Sequence, residues 1–217
     1  MKICRNESGI ISDVAQGSEE WLSLRRGKVT GTRAHTVLCN GKGVQTLIDE
    51  LVIELLSERQ ESFKSAAMMR GNELEPQARR AFEIAEFEER KVYEVGCVMH
   101  PTIKDFMISP DGLFEEYGIL EIKCFEAKNY FEHLKAFKSN PSGFTFLDKK
   151  YITQVQAGLS CTQNDFARCV IYNPDFLGNE YIEFGIERDE SVISQLEELT
   201  EEVIYKRDEI LREFEND

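Results

Sequence analysis

Asp111 stands in the segment Ser109-Pro110-Asp111-Gly112. Glu121 and Lys123 flank Ile122 inside the apolar run Ile119-Leu120-Glu121-Ile122-Lys123-Cys124-Phe125. Side chains alternate along a strand, so Glu121 and Lys123 share one face while Leu120, Ile122 and Cys124 share the other. Two ionisable groups inside an apolar strand are costly unless they are paired or bound to a metal. An ion pair on an exposed sheet face satisfies the same pattern. A Pro-Asp-Gly turn followed by a short hairpin can also bring Asp111 beside Glu121. Two such carboxylates suit a hard divalent cation like Mg²⁺, which takes one or two carboxylates plus phosphate oxygens. A lysine two residues on can then orient or polarise an attacking water, or stabilise charge developing on phosphorus. Context decides, because Glu-x-Lys also occurs at Glu89-Arg90-Lys91 and Glu126-Ala127-Lys128, neither in an apolar strand.

The elements that must hold these residues can be read from the pattern around them. Ser18 followed by Glu19 and Glu20 predicts a capped short helix that stops at Gly27. A second helix is expected over Thr30–Leu38, and a third over Val44–Arg59 with Leu47, Leu51, Ile53 and Leu55 facing inward. Ser65–Phe87 reads as helical with a break near Gly71 or Pro76. Short β-branched and aromatic segments follow: Lys91–His100, Asp105–Ser109, Gly112–Glu116 and Gly118–Phe125, punctuated by Pro-Asp-Gly and Tyr-Gly turns. Helices return over Glu126–Phe137 and Lys149–Cys161, then strands over Ala167–Pro174 and Tyr181–Arg188. Asp189–Phe214 reads as a long amphipathic helix with Ile193, Leu196, Leu199, Val203, Ile210 and Phe214 inside. The order implies an α/β fold with a mixed central sheet flanked by helices.

Composition bounds the possibilities. The 217 residues, 41% of them hydrophobic, can bury a core as one domain, 1–217. A net charge of −14 argues against a surface that is one nucleic-acid patch, yet leaves room for a local basic channel. No apolar run approaches the roughly 18 residues of a membrane span, and the start lacks a signal-peptide core, so a cytoplasmic location is expected. The six cysteines, Cys4, Cys39, Cys97, Cys124, Cys161 and Cys169, include no Cys-x-x-Cys pair and read as buried free thiols.

Five segments occur in an order that resembles the phage lambda exonuclease family, also called the YqaJ-type viral recombinase family. They are Gln16–Leu38, Arg70–Glu83, the "ISPDGLF" and "LEIKC" segments, and Tyr151–Leu159. The resemblance runs from about Gln16 to Asp189. It implies a restriction-endonuclease-like core of the PD-(D/E)xK type, with a helical N-terminal segment. The implied activity is a Mg²⁺-dependent exonuclease, with two ions and Mn²⁺ able to substitute. Such an enzyme degrades the 5′-ended strand of linear double-stranded DNA, releases mononucleotides and leaves a 3′ overhang for a phage single-strand annealing protein. A ring-shaped homotrimer around the DNA is implied as well.

Carried onto this sequence, the resemblance makes Asp111 and Glu121 metal ligands and Lys123 the catalytic lysine. The Ile122 carbonyl would be a further ligand. Gly71-x-x-x-Glu75 spacing makes Glu75, rather than Glu73, the third acid, against the plain alternative of a solvated helix face. Gln154 would hold water or substrate, with Gln156 about 200° away on the helix and a bystander. Arg25 would bind the 5′-terminal phosphate, with hydroxyls from Thr32 and Ser109; a guanidinium fork suits a phosphate dianion. Arg26, Lys28 and Arg33 would thicken that basic patch, unless Arg33 is an ordinary helix charge. Trp21 reads as a packing residue, and His35, His100 and His133 as structural or exposed. Two rival readings remain: a RecB-like or Cas4-like nuclease, which would need clustered cysteines for an iron–sulfur centre, and a non-catalytic DNA-end-binding protein that keeps the fold.

Overall fold

The computed structural model describes residues 11–57, 66–85, 91–114, 118–141 and 147–215. Cys4, the Glu89-Arg90-Lys91 triplet, the expected strand end at Glu115–Glu116 and the turn at Tyr117 lie wholly or partly outside them. Helix α1 (Glu19–Arg25) is capped by Ser18, whose hydroxyl accepts from Trp21 N at 3.2 Å. The chain leaves it at Gly27, where φ is +66°. A short strand β2 (Val29–Thr30), a 3₁₀ turn (Gly31–Arg33) and helix α2 (Ala34–Cys39) follow. The expected second helix starts late because Val29 and Thr30 pair first with a strand far along the chain.

Helix α3 (Gly43–Leu56) buries Val44, Leu47, Ile48, Leu51 and Val52. Ile53 and Leu55, expected inside, are 61% and 43% exposed. Leu55 instead covers the gap left by Gly27, where an added Cβ would lie 2.5 Å from its Cγ. Helix α4 (Ala66–Ile84) runs without the expected break, with Pro76 in its interior rather than its first turn. Interior proline costs roughly 3 kcal/mol; the buried stripe Leu74, Ala78 and Phe82, packed against a sheet, offsets it.

The fold is mixed α/β as expected, its strands arranged in two mixed sheets. The first joins β1 (Ile11–Ser12), β4 (Cys97–Met99), β5 (Phe106–Ile108) and β2 in that order, so the expected Lys91–His100 strand is divided between sheets. The second runs β3 (Val92–Tyr93), β6 (Gly112–Phe114), β7 (Gly118–Lys123), β8 (Phe166–Tyr172), β9 (Tyr181–Glu187). β7 and β8 are parallel, with Glu121 opposite Cys169; β6 and β7 form the expected antiparallel hairpin. Ser109-Pro110-Asp111 is therefore the crossing from one sheet to the other. Pro110 has no N–H to extend either ladder.

Helix α5 (Ala127–Ser139) precedes α6 (Lys149–Thr162), which packs against strands of both sheets. Gly158 allows this approach, since a Cβ there would come within 3.0 Å of Ile119 Cδ1. α4 covers the opposite face of β7, touching Leu120 and Ile122, with Cys124 at the edge of that cluster. The last helix, α7 (Glu190–Glu215), buries Ile193, Leu196 and Val203, while Leu199 and Ile210 pack at the margin. Phe214 is 62% exposed, because it lies beyond the part of α7 that meets the core.

Arg207 ties α7 down. Its guanidinium donates to Asp105 Oδ2 at 2.9 Å, to Asp208 Oδ1 at 2.6 Å and to the Gly27 carbonyl, while Lys28 reaches Asp105 Oδ1 at 3.0 Å. Burial works against the charge of Asp105, but its bonds to Lys28 and Arg207 outweigh it and lower its pKa. A lowered folded pKa means a contribution complete above the ordinary carboxylate range near 4, lost as pH falls through the lower folded value. Arg207→Met should cost about 3 kcal/mol, since it strands part of a buried charge network. Urea unfolding at pH 7 and pH 3 checks both points: the mutant's deficit should shrink at the lower pH.

Candidate active site

The seam between the sheets collects the residues singled out by type and spacing. β7 turns Glu121 and Lys123 toward α6, and both are withdrawn from solvent, Glu121 to 5% exposure. Lys123 Nζ donates to Glu121 Oε1 at 2.5 Å, and Gln154 Nε2 on α6 donates to the same oxygen at 2.6 Å. The exposed sheet-face ion pair is thereby excluded. Asp111 reaches across the hairpin end, where its Oδ2 accepts from Ile122 N at 2.6 Å. A residue's N–H and C=O point to the same neighbouring strand. The Ile122 carbonyl therefore faces the edge on which Asp111 sits.

Electrostatics joins these residues to Glu75. Burial first, then the charge of Asp111, raises Glu75 to about 7. Burial likewise raises Glu121 to about 7 against the pull of Lys123, with Asp111 and Glu75 adding to the rise. Asp111 is raised by burial despite Lys123 and its bond from Ile122. Burial opposes the charge on Lys123 too, but Glu121 and Asp111 outweigh it and raise its pKa. The two shifts pull the Glu121–Lys123 pair in opposite directions. At 2.5 Å we take Lys123 as firmly protonated, because two carboxylates face it. Glu75 is half-buried, whereas Glu73 is exposed.

Asp111 raises both Glu75 and Glu121, and Glu75 raises Glu121, so the three carboxylates form a donor set short of positive charge. Hard oxygen donors with excess negative charge fit a divalent cation. Among the described residues no three acidic, His or Cys side chains stand close enough together, as placed, to hold a metal ion by themselves. Here one oxygen of Glu121 is engaged by Lys123 and Gln154.

Next to the acids, a cleft lined by Arg25, Gly31, Thr32, Ser109, Glu121 and Gln154 links the N-terminal segment to the seam. Arg25 Nη1 donates to Ser109 Oγ at 3.0 Å, and its guanidinium lies 4.3 Å from the centre of the Trp21 ring. No carboxylate of the described residues lies within ion-pair range of Arg25, so the helix pairing with Glu19 or Glu20 does not form. Burial and then Arg33 lower its pKa to about 10, which leaves a charged group in need of an anion. Thr32 is exposed at the cleft, 3.2 Å from Thr30 Oγ1.

The chain from residue 20 to residue 165 matches the YqaJ-like viral recombinase domain. It belongs to that family. An alkaline exonuclease from Laribacter hongkongensis is 33% identical, covers 92% of this chain and 97% of its own, and superposes with a TM-score of 0.80. The same relative, LHK-Exo, solved in complex with dAMP gives the same figures. A phage-related exonuclease from Haemophilus somnus 129PT is 16% identical over 86% of this chain and 96% of its own, TM-score 0.65, and speaks for the fold alone. Among curated proteins nothing matches.

Within this YqaJ-like chain several expectations need correction. Trp21 is not only packing: its indole N–H donates to Gly96 O at 2.9 Å and to Ser109 Oγ at 3.0 Å, under Arg25. Arg26, Lys28 and Arg33 add no free basic patch. They are engaged by the Glu54 and Ser57 carbonyls, Asp105 and the Glu54 carboxylate, respectively. Gln156, read as a bystander to the site, needs no correction: it is buried away from the acids, donating to Glu187 O at 2.8 Å and accepting from Asp189 N at 2.9 Å. Cys39 is exposed, although Cys97, Cys161 and Cys169 are buried free thiols as expected. His35, His100 and His133 bond to Thr153, Glu197 and the Asn129 carbonyl, outside the acidic cluster.

Sequence reasoning passed over Gln16, Arg79 and Tyr151. Gln16 Nε2 holds the Val95 and Pro110 carbonyls, each at 2.9 Å, and so fixes the crossing beside Asp111. Tyr151 puts its ring 4.9 Å from Lys123 Nζ. It stands three residues before Gln154 on α6, a spacing that would have placed both on one face.

Proposed function

We propose that the protein is a Mg²⁺-dependent exonuclease of the PD-(D/E)xK type, with Mn²⁺ able to substitute, acting on linear double-stranded DNA in the 5′→3′ direction. The carrying observation is the convergence of Asp111, Glu121, Lys123 and Glu75 beside a cleft whose cation, Arg25, has no carboxylate partner among the described residues. Glu75, Asp111, Glu121 and the Ile122 carbonyl would hold the metal, in two ions. The cation would neutralise the scissile phosphate and lower the pKa of water there. Lys123, protonated between Glu121 and the Tyr151 ring, places a positive charge where charge develops on phosphorus. Gln154 fixes the Glu121 carboxylate from the α6 side. Arg25, Ser109 and Thr32 hold the terminal phosphate, so the first phosphodiester falls at the acids.

That a relative was solved in complex with dAMP supports mononucleotides as products. A homotrimer acting with a phage single-strand annealing protein, in a cytoplasmic setting, completes the reading. Among the described residues no helix is long and apolar enough to cross a membrane. A ring would let subunits of net charge −14 focus cations from several copies on one channel.

The decisive test offers equal masses of linear and covalently closed circular duplex with Mg²⁺, Mn²⁺ or EDTA, and follows acid-soluble nucleotide. Release should come from the linear form alone and stop in EDTA. Equal digestion of circles would mean an endonuclease, and no digestion of either would leave an end-binding protein.

A further inference from the structure

We propose that Arg79 is a positioning residue that sets the distance between the Glu75 and Asp111 carboxylates, an inference that rests on the metal-site reading above. Arg79 lies one helical turn after Glu75 on α4, so the two share a face. Its Nε donates to the Asp111 main-chain carbonyl at 3.0 Å, and its Nη1 pairs with Glu94 at 2.8 Å. The side chain is only 14% exposed, while Glu94 is 72% exposed. Asp111 is thus held from two sides: its carbonyl by α4 through Arg79, and its carboxylate by the Ile122 N–H of β7.

This bond solves a construction problem. Glu75 comes from a helix covering one face of β7, whereas Glu121 points to the other face, toward α6. Asp111, on the crossing between sheets, is the only acid of the three that can meet both, and its crossing has no ladder bonds of its own at Pro110. Packing of Leu74, Ala78 and Phe82 on Phe114, Leu120 and Ile122 seats α4 on the hairpin. The guanidinium adds the directional bond from that helix to the crossing itself, its planar fork binding the Asp111 carbonyl and the Glu94 carboxylate in a set geometry. It also counters the repulsion between Glu75 and Asp111, whose fields it opposes.

A strut and a mere counter-charge give opposite signs on metal uptake. Removing a positive charge beside the carboxylates should tighten a divalent cation if charge were all that mattered. Removing a strut lets the carboxylates drift and should weaken it. Mn²⁺ binding to the DNA-free protein, followed by the free-ion electron paramagnetic resonance signal, reads this without turnover. Arg79→Gln should raise the Mn²⁺ dissociation constant at least about tenfold, the scale of losses when residues supporting metal ligands are changed. Arg79→Lys keeps the charge but cannot span both partners, and should weaken binding similarly; it serves if Arg79→Gln does not fold. Glu94→Gln, at the exposed end, should stay within about twofold. Undiminished or tighter Mn²⁺ binding by the Arg79 variants, with a normal wild type, overturns the strut alone. A wild type that takes up no Mn²⁺, or an Asp111→Asn variant that takes up as much, removes the metal site and the strut with it.

Discussion

Lys123→Ala should lower nuclease turnover by about 10²–10³-fold while duplex DNA binding changes little, because what is lost is a charge aimed at the transition state. Lys123 Nζ lies 2.5 Å from Glu121 Oε1 and 4.9 Å from the centre of the Tyr151 ring, which holds its ammonium at the acidic cluster. Facing carboxylates keep it protonated across the neutral range, which makes it a donor and not a base. The alanine variant also frees Glu121 from its ion pair with Lys123, so metal uptake should be retained. Asp111→Asn makes the contrast: an amide cannot replace carboxylate charge, and the variant should need far more Mg²⁺ for any residual cleavage. Single-turnover rates over a Mg²⁺ series, with filter binding in Ca²⁺, separate the two. A Lys123→Ala enzyme at the wild-type rate under saturating Mg²⁺ would falsify the assigned role.

The residues of the acidic cluster were the most legible. Glu121 and Lys123 are two apart on a strand, so their shared face follows from pleat geometry alone, and the hairpin register that brings Asp111 to Ile122 follows from a short turn. The capped α1 and its glycine stop were equally local. Illegible features depended on partners distant in the chain. Trp21 could not be seen under Arg25 without knowing that Gly96 and Ser109 supply its acceptors. Arg26, Lys28 and Arg33 count as basic in composition, yet Glu54, Ser57 and Asp105 consume their donors after folding.

The same logic explains the errors of periodicity. Gly71 and Pro76 are local signals for a break, and tertiary burial of Leu74, Ala78 and Phe82 overrides them. Ile53, Leu55 and Phe214 fit an apolar stripe on paper, but the stripe ends where its covering neighbours end. The mixed α/β class was legible, but the division of the strands was not, because they were read as a sequence of segments. Pairing across residues 29 and 106, and the ladder gap at Pro110, divide them in two.

Arg25→Ala should abolish the preference for a 5′-phosphate and slow cleavage of phosphorylated ends about 10- to 100-fold, the equivalent of one hydrogen-bonded charge contact. Cleavage chemistry at the acids is indifferent to direction; polarity needs a feature that recognises one end. Arg25 lines the same cleft as Glu121 and Gln154, and Ser109, its hydrogen-bond partner, is two residues from Asp111 on the sheet crossing. A phosphate held there stands a short reach from the carboxylates. Stacking on Trp21 and the bond to Ser109 hold the guanidinium in place beforehand, which reduces the entropy lost on binding. Ser109→Ala should give a smaller loss in the same direction, since the hydroxyl both orients Arg25 and is itself a donor. The comparison uses linear duplexes differing only in 5′-phosphate or 5′-hydroxyl, for wild type and both variants, with initial rates measured below saturation. Equal slowing on both ends would assign Arg25 to general DNA binding. A variant that keeps the full preference would show that the end is sensed elsewhere.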